Sequence, residues 1–156
     1  MKTDKLIYFL FQVAPQGFFL LIGQPPDKAN RYTVRAVELK EKAFRIDAIF
    51  EPIDANETTY FVEAQFQLDE SFYGRFFSEI FLYLHQYKVR RWQGVVIYPN
   101  QAAEQKDLGA HQAVIARLEP DLIRRIYLDQ LPSVEQLDTP LGFFRWSLSQ
   151  TLLLQR

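Results

Sequence analysis

Two short segments in which apolar and polar residues alternate constrain the fold most. Residues 44–50 read FRIDAIF and residues 60–67 read YFVEAQFQ, and alternation with period two predicts half-buried strands. The residues between them read EPIDANETT, which predicts a turn. A hairpin folded symmetrically about Ala55 places Asp47 opposite Glu63 and Arg45 opposite Gln65. Two carboxylates facing each other on neighbouring strands repel, unless a cation lies between them.

The two faces of this predicted hairpin differ in character. One face is wholly apolar or aromatic and is expected to pack on the core: Phe44, Ile46, Ala48, Phe50, Tyr60, Val62, Ala64 and Phe66. The opposite face collects the polar side chains of the hairpin: Arg45, Asp47, Ile49, Phe61, Glu63, Gln65 and Gln67. Because side chains alternate across a strand, every polar group of the hairpin is predicted to project from one side.

The remaining periodicity predicts an α/β protein. Helices are expected near residues 4–11, over 16–22, and over 69–87, where Phe72, Phe76, Ile80 and Leu84 form a stripe at spacing four. Further strands are expected over residues 33–39, 95–98 and 122–128, and further helices over 113–118 and 143–154. This order predicts a mixed central sheet, a three-stranded meander followed by crossover strands, flanked by helices. We expect one domain over residues 1–156.

Composition excludes several kinds of chemistry. The chain has 156 residues, a net charge of −1, no cysteine and two histidines. A balanced charge makes no global case for nucleic acid or membrane, so any DNA contact must come from a local basic patch. Thiolate zinc sites, disulfides and cysteine nucleophiles are ruled out, and neither histidine has a metal-binding spacing. No signal peptide or membrane span is evident, so we expect a cytoplasmic protein without a membrane partner.

Asp47, Glu63 and Gln65 form the strongest candidate constellation. Two hard carboxylate oxygens on neighbouring strands suit Mg²⁺ or Mn²⁺, which keep several waters and need few protein ligands. Gln65 projects from the same face as Glu63 and is placed to hold a water or a phosphate. Glu38 is a candidate third ligand, although an exposed glutamate beside Lys40 fits the pattern as well. The structural alternative for the whole set is a solvent-facing strand surface that Arg45 neutralises.

Basic residues supply candidate DNA contacts. Arg75 on the long helix is a candidate phosphate contact, and it also forms an ordinary i, i+4 pair with Glu79. Lys88, Arg90 and Arg91 precede Trp92 and are candidates for the DNA backbone, although a solvated turn explains them equally well. Tyr83 is a candidate hydrogen-bonding wall of the site. Arg124 and Arg125 are candidates for extending the basic cluster.

The combined string of these segments resembles a known bacterial family. The matching segments are VELK at 37–40, FRID at 44–47, YFVEAQFQ at 60–67, FYGRFFSEIFLYL at 72–84 and VVIYP at 95–99 after Trp92, with DKL at 4–6 and LIGQP at 21–25. The family is abundant in cyanobacteria and is described as an uncharacterised domain of the recombination-promoting nuclease/putative transposase group. That group belongs to the PD-(D/E)XK nuclease superfamily. The resemblance covers about residues 1–135.

The resemblance implies a PD-(D/E)XK-like core and places a metal site on named residues. Its second-strand acidic residue falls on Asp47, and its Glu-x-Lys element falls on Glu63-Ala64-Gln65, with glutamine where lysine is usual. Glutamine cannot stabilise a transition state as a cation. Glu38 matches an additional acidic position less securely. Family members continue with a further helical region, so residues 136–156 are interpreted as a shortened C-terminal segment.

Together these patterns predict a Mg²⁺- or Mn²⁺-dependent endonuclease-like protein that hydrolyses phosphodiester bonds of DNA, linked to mobile elements or recombination. Asp47 and Glu63 are expected to hold the metal, Gln65 to orient water or phosphate, and Arg75 to steady the backbone. One alternative is a catalytically inactive DNA-binding module derived from such a nuclease. Another is an assembly module that forms a homodimer or larger oligomer through the apolar residues 143–154.

Overall fold

The structure is a computed structural model that describes residues 3–38, 45–104, 111, 113, 116–117 and 121–131. Within these residues the chain forms helices α1 (Thr3–Val13), α2 (Pro15–Leu21) and α3 (Phe72–Gln86). The strands are β1 (Tyr32–Glu38), β2 (Arg45–Pro52), β3 (Thr59–Ala64), β4 (Trp92–Tyr98) and β5 (Ile123–Tyr127). Short 3₁₀ helices follow α2, β4 and β5, at Pro26–Arg31, Gln101–Ala103 and Leu128–Gln130.

The five strands form one mixed sheet in the order β1-β2-β3-β4-β5. β1, β2 and β3 pair antiparallel, whereas β3, β4 and β5 pair parallel. A parallel neighbour requires a crossover, and α3 supplies the one between β3 and β4. The predicted mixed sheet, a meander followed by crossover strands, is confirmed.

α1 and α2 cover one face of the sheet with an apolar core. Phe18 lies at its centre, stacked on Phe50 at 4.0 Å between ring centroids and in edge contact with Phe11 and Tyr60. Gly23 ends the α2 segment with φ of 71°, a left-handed conformation that glycine adopts without a steric cost. The buried members of this cluster are all hydrophobic: Ile7, Leu10, Phe11, Phe18, Phe19, Leu21, Ile22, Ala29, Tyr32, Ala48, Phe50, Tyr60, Val62, Val95, Ile97, Ile126 and Leu128.

α3 covers the opposite face. Its apolar stripe packs on Ile49, Phe61 and Val96, which gives the helix the broad buried face that the spacing-four pattern predicts. Gly94 allows close packing here, because a Cβ at that position would lie 2.7 Å from Ile123 Cδ1 and 3.1 Å from Phe76 Cε1. The helix therefore lies directly against the middle of the sheet.

One apolar residue of the hairpin lies on the other side of the sheet from the predicted one. Ile46 was expected beside Ala48, facing α1 and α2, but it packs in the α3 cluster with Ile49. The reason is a bulge, since the pairing of β1 with β2 shifts between Arg35↔Ile49 and Val37↔Ile46. One extra β2 residue at Asp47–Ala48 inverts the alternation beyond it.

Several sequence predictions fall beyond the residues that the structure describes. The helices expected over 113–118 and 143–154, and the segment 136–156, lie wholly or largely outside them. The side chains of Glu38 and Arg45 also lie outside, although both residues are strand residues. In the described residues, no helix combines the length and apolar character that crossing a bilayer requires.

Candidate metal and phosphate site

The pairing of β2 with β3 brings Asp47 and Glu63 together. The register Ala48↔Val62, Ile49↔Phe61 and Phe50↔Tyr60 is symmetric about Ala55, as predicted. Carried one pair further, it places Asp47 beside Glu63. The side chains then complete the pairing, because the Asp47 N–H donates to Glu63 Oε2 at 3.3 Å and the Ala64 N–H donates to Asp47 Oδ2 at 3.1 Å.

Both carboxylates are buried. Asp47 is 6% exposed and Glu63 5%, whereas Glu79 of α3 has no exposed surface. These three residues are called the carboxylate cluster below. Gln65 lies just past the end of β3 and is 9% exposed. Because these carboxylates are buried, the alternative of a solvent-facing strand surface is wrong, and buried carboxylates are costly unless they are paired.

Arg75 is the cation that the cluster already contains. Its Nη1 donates to Glu63 Oε1 at 2.8 Å and to Glu79 Oε1 at 3.4 Å, and its Nη2 lies 3.7 Å from Asp69 Oδ2. The guanidinium also lies over the Phe72 ring, 5.6 Å from its centroid. Burial alone would lower the pKa of Arg75, but Glu63 and Glu79 outweigh burial and raise it. Arg75 therefore stays charged and neutralises part of the cluster.

Glu63 is the carboxylate whose ionisation the site perturbs most clearly. Burial raises the pKa of Glu63 to about 7. The Arg75 guanidinium and its hydrogen bond oppose this rise, and the nearby Glu79 adds to it. Such a group exchanges its proton near neutral pH, and perturbed carboxylates of this kind are enriched at functional sites.

Two further candidate ligands, Gln65 and Glu38, belong to segments that adjoin β3 and β2. The Gln65 side-chain amide donates to the Gln67 carbonyl, which leaves its Oε1 as the atom for a water, phosphate or cation. Glu38 pairs with Arg45 in the β1–β2 ladder, two residues before Asp47, and its side chain is outside the described residues. The described contacts bring Asp47 and Glu63 together with Arg75, and Gln65 follows Glu63 by two residues.

The structure does not bring the second basic group to the carboxylate cluster. Lys88, Arg90 and Arg91 follow α3, and Arg75 lies in its first turn. At 1.5 Å per residue, the start and end of this helix are about 20 Å apart. Lys88 and Arg90 line a cavity of about 400 Å³ together with Tyr87, and Arg90 donates to Asn56 Oδ1 at 2.8 Å.

Tyr83 lies at the same distant end of α3. Its hydroxyl donates to Glu51 and accepts from Arg35 Nη2 at 2.7 Å, and burial raises its pKa beyond the ordinary tyrosine range. Tyr83 and Tyr87 stack on each other, and the Arg35 guanidinium lies 5.7 and 5.2 Å from their ring centroids. Tyr83 therefore belongs to an ion-pair cluster around Glu51, and it follows Glu79 by one turn of α3.

The donor set fits a lightly ligated divalent cation. Among the described residues, no group of three or more His, Cys, Asp and Glu side chains is arranged to hold a metal ion. Glu79 contacts Arg75, and a metal here would have Asp47 and Glu63 as protein ligands. Mg²⁺ and Mn²⁺ accept such a set, because they bind through one or two carboxylates and retain waters.

The sequence did not lead us to predict that Glu79 is buried in the carboxylate cluster. It was interpreted as an ordinary surface partner of Arg75, yet it is fully buried. A signal was available, since Glu79 follows Phe76 by three residues and precedes Tyr83 by four, and both are buried. A carboxylate at that spacing sits on the apolar face of a helix and must find a cation or lose its charge.

The fold and the site define a mixed α/β protein with a buried carboxylate cluster at the carboxyl end of a central strand. The chain belongs to the family described as Protein of unknown function (DUF2887), whose model matches residues 3–149. No curated protein matches the chain, and no solved structure does.

Proposed function

We propose that this protein is a Mg²⁺- or Mn²⁺-dependent endonuclease-like enzyme that hydrolyses phosphodiester bonds of DNA. The observation that carries the proposal is the adjacent, buried pair Asp47 and Glu63 at the carboxyl end of β3. β3 is the central strand of the sheet, antiparallel to β2 and parallel to β4.

The fold is compatible with the PD-(D/E)XK nuclease relationship that the sequence resemblance implies. That relationship remains part of the proposal. The helix, three-stranded meander, helix and strand of the resemblance correspond to α1, β1–β3, α3 and β4. Asp47 and Glu63 occupy the expected strands, and Gln65 follows at the position where lysine is usual.

The roles of the residues follow from their chemistry. Asp47 and Glu63 would hold the metal, which lowers the pKa of a bound water and polarises a phosphoryl oxygen. Gln65 Oε1 would orient the attacking water, since an amide accepts a hydrogen bond without taking the proton. Arg75 would provide the positive charge that glutamine cannot, because its guanidinium contacts Glu63 and is 29% exposed. Lys88, Arg90 and Arg91 would contact phosphates farther along the duplex.

Plasmid nicking tests the proposal. The wild type is expected to nick supercoiled DNA with Mg²⁺ or Mn²⁺ and not with EDTA. Asp47→Asn and Glu63→Gln keep the side-chain size, remove a charge, and should abolish nicking. The matched control is Asp54→Asn, which changes an exposed carboxylate in the loop of the same hairpin and should retain full activity. Wild-type protein that is folded but does not cleave, or cleavage that survives in Asp47→Asn, would contradict the proposal.

A catalytically inactive DNA-binding module is the second candidate. One observation favours it, namely that Arg75 already supplies a cation to Glu63 and Glu79. In that case the carboxylate cluster is a structural ion-pair network and the protein needs no metal. DNA binding that is identical in Mg²⁺ and EDTA, with no cleavage and no metal affinity, would identify this module.

A further inference from the structure

A second polar cluster lies on the α3 face of the sheet, over the carboxyl ends of β4 and β5. Its members, called the tyrosine–arginine cluster below, are Tyr73, Tyr98, Glu104, Arg125 and Tyr127. Arg125 is at its centre, with Nε 3.0 Å from the Tyr73 hydroxyl and 2.6 Å from Glu104 Oε1. Its guanidinium also lies over the Tyr73 ring, 5.5 Å from the centroid.

Strand register aligns this cluster with the carboxylate cluster. Glu63 pairs with Val96, and Val96 pairs with Arg125, so the three side chains share one row across the parallel strands. Two strand spacings separate Glu63 from Arg125, which is about 10 Å. Tyr98 and Tyr127 form the next row towards the carboxyl edge, where Gln65 lies. One nucleic-acid strand that crosses this edge would meet both clusters.

Arg125 is suited to binding an anion. A quarter of its side chain is exposed, and both of its close polar contacts are made at Nε. A guanidinium carries five N–H donors in a planar fork, so donors remain for a second acceptor. The ring of Tyr73 holds the guanidinium plane, and Tyr73 is itself fixed by the Tyr98 hydroxyl at 3.1 Å. A preorganised arginine loses little conformational entropy when it binds.

The chemistry favours phosphate as the anion. Glu104 already gives Arg125 a carboxylate partner, and Glu104 is about a quarter exposed and is held by the Tyr127 hydroxyl. An incoming ligand must therefore compete with a carboxylate in place. A backbone phosphate has oxygens for bidentate binding to an arginine fork and comes with neighbouring charges along the strand.

We propose that Arg125 binds a backbone phosphate of a DNA strand that passes the carboxylate cluster, and that Glu104 is the counter-ion this phosphate displaces. The inference rests on the proposed function for the identity of the ligand. Arg125 is in this view a substrate-positioning residue. Arg124, the next residue along β5, is exposed and lies on the opposite face of the sheet, near Gly23. It therefore takes no part in this contact.

Binding without metal tests the inference independently of cleavage. Fluorescence anisotropy with a short labelled DNA duplex, in EDTA and over a range of salt concentrations, would compare Arg125→Ala with Arg124→Ala. Both variants lose one charge from the same strand. Loss of one charge-assisted contact should weaken binding by Arg125→Ala about tenfold and reduce the slope of log K against log salt by about 0.9. Arg124→Ala should bind within about twofold of the wild type.

Glu104→Gln gives the test that a folding defect cannot imitate. It removes the competing charge and is expected to bind the duplex about threefold more tightly, whereas Glu57→Gln, which removes the partner of Arg31 at another surface, should have no effect. Equal losses in Arg124→Ala and Arg125→Ala, no gain in Glu104→Gln, or no DNA binding by the wild type would overturn the inference. Binding that depends on Arg125 without any metal-dependent cleavage would support this inference and contradict the nuclease proposal.

Discussion

The two faces of the sheet bury different kinds of side chain. On the face that α1 and α2 cover, the buried cluster consists of aliphatic, phenylalanine and tyrosine side chains. On the α3 face, the buried apolar residues share the space with Glu63 and Glu79, which Arg75 contacts, and Asp47 adjoins Glu63. Strand alternation makes this separation possible, because neighbouring residues of one strand face opposite layers.

This difference indicates which face mainly stabilises the fold and which face contains the candidate functional site. An apolar face gains free energy in proportion to the area that it buries. A face with buried carboxylates loses part of that gain to desolvation and recovers it only through specific partners. We therefore expect changes on the α1/α2 face to alter stability alone, and changes in the carboxylate cluster to alter stability in a way that depends on pH and cations.

The largest effect is expected from Phe50→Ala on the apolar face. Phe50 is fully buried, stacks on Phe18 and makes edge contacts with Phe11 and Phe19. Its truncation should lower the free energy of unfolding by about 3–5 kcal/mol, as measured by urea denaturation. The control Phe9→Ala, at a position 55% exposed, should cost less than about 1 kcal/mol. Equal losses in the two variants would show that the α1/α2 core is not packed as described.

The next effect is the pH dependence of Glu63→Gln. Because the pKa of Glu63 is raised to about 7 from 4.5, the folded protein binds its proton more tightly than the unfolded chain. Glu63 contributes its full stabilisation of the folded state below about pH 4.5, and this contribution is lost as pH rises through about 7. Glu63→Gln cannot ionise and lacks this loss. As pH rises from about 4.5 to about 7, the free energy of unfolding of Glu63→Gln should therefore rise by about 3 kcal/mol relative to that of the wild type.

Urea unfolding at several pH values measures this gain. Glu70→Gln is the control, because its side chain is exposed, and it should follow the wild type throughout. Parallel pH curves for Glu63→Gln and the wild type would mean that Glu63 is ionised at the same pH in the folded and unfolded protein. The contrast between the two faces would then not extend to titration.

Much of this arrangement could be predicted from local pattern. Alternation and the turn residues between the segments were enough to place β2 and β3 in a register symmetric about Ala55, and so to place Asp47 beside Glu63. Arg75 was predicted as a phosphate contact, which stays a prediction, and the structure shows its guanidinium on Glu63. These features depend on residues close in sequence, or on a hairpin whose geometry its own loop determines.

The rest depends on tertiary contacts that no local pattern contains. The bulge at Asp47–Ala48 arises in the pairing with β1, and it moves Ile46 to the α3 face. Arg125 was grouped with Lys88 and Arg90 by charge, yet the parallel register places it in the row of Glu63. Parallel strands are joined by long crossovers, so their register cannot be inferred from a turn.

Arg75→Ala should change stability less than Phe50→Ala or Glu63→Gln. It tests most directly how the two faces of the sheet differ. It removes the cation that Glu63 and Glu79 share, and fully buried pairs lose about 3–5 kcal/mol when one partner is removed. Arg75 is 29% exposed, so we expect about 1–2 kcal/mol near pH 8, and less near pH 5, where Glu63 is protonated. Arg31→Ala, which breaks an exposed pair with Glu57, should cost less than about 1 kcal/mol at either pH.

Thermal stabilisation by divalent cations tests whether the carboxylate cluster is a metal site. If Asp47 and Glu63 form a metal site, Mg²⁺ or Mn²⁺ should raise the melting temperature of Arg75→Ala more than that of the wild type, because the variant has a larger uncompensated negative charge. The same ions should not stabilise Arg75→Ala once Glu63→Gln is added. If neither ion stabilises Arg75→Ala, the arginine is the permanent partner of the cluster. The α3 face would then differ from the α1/α2 face in using buried ion pairs as well as apolar packing, and not in binding a metal.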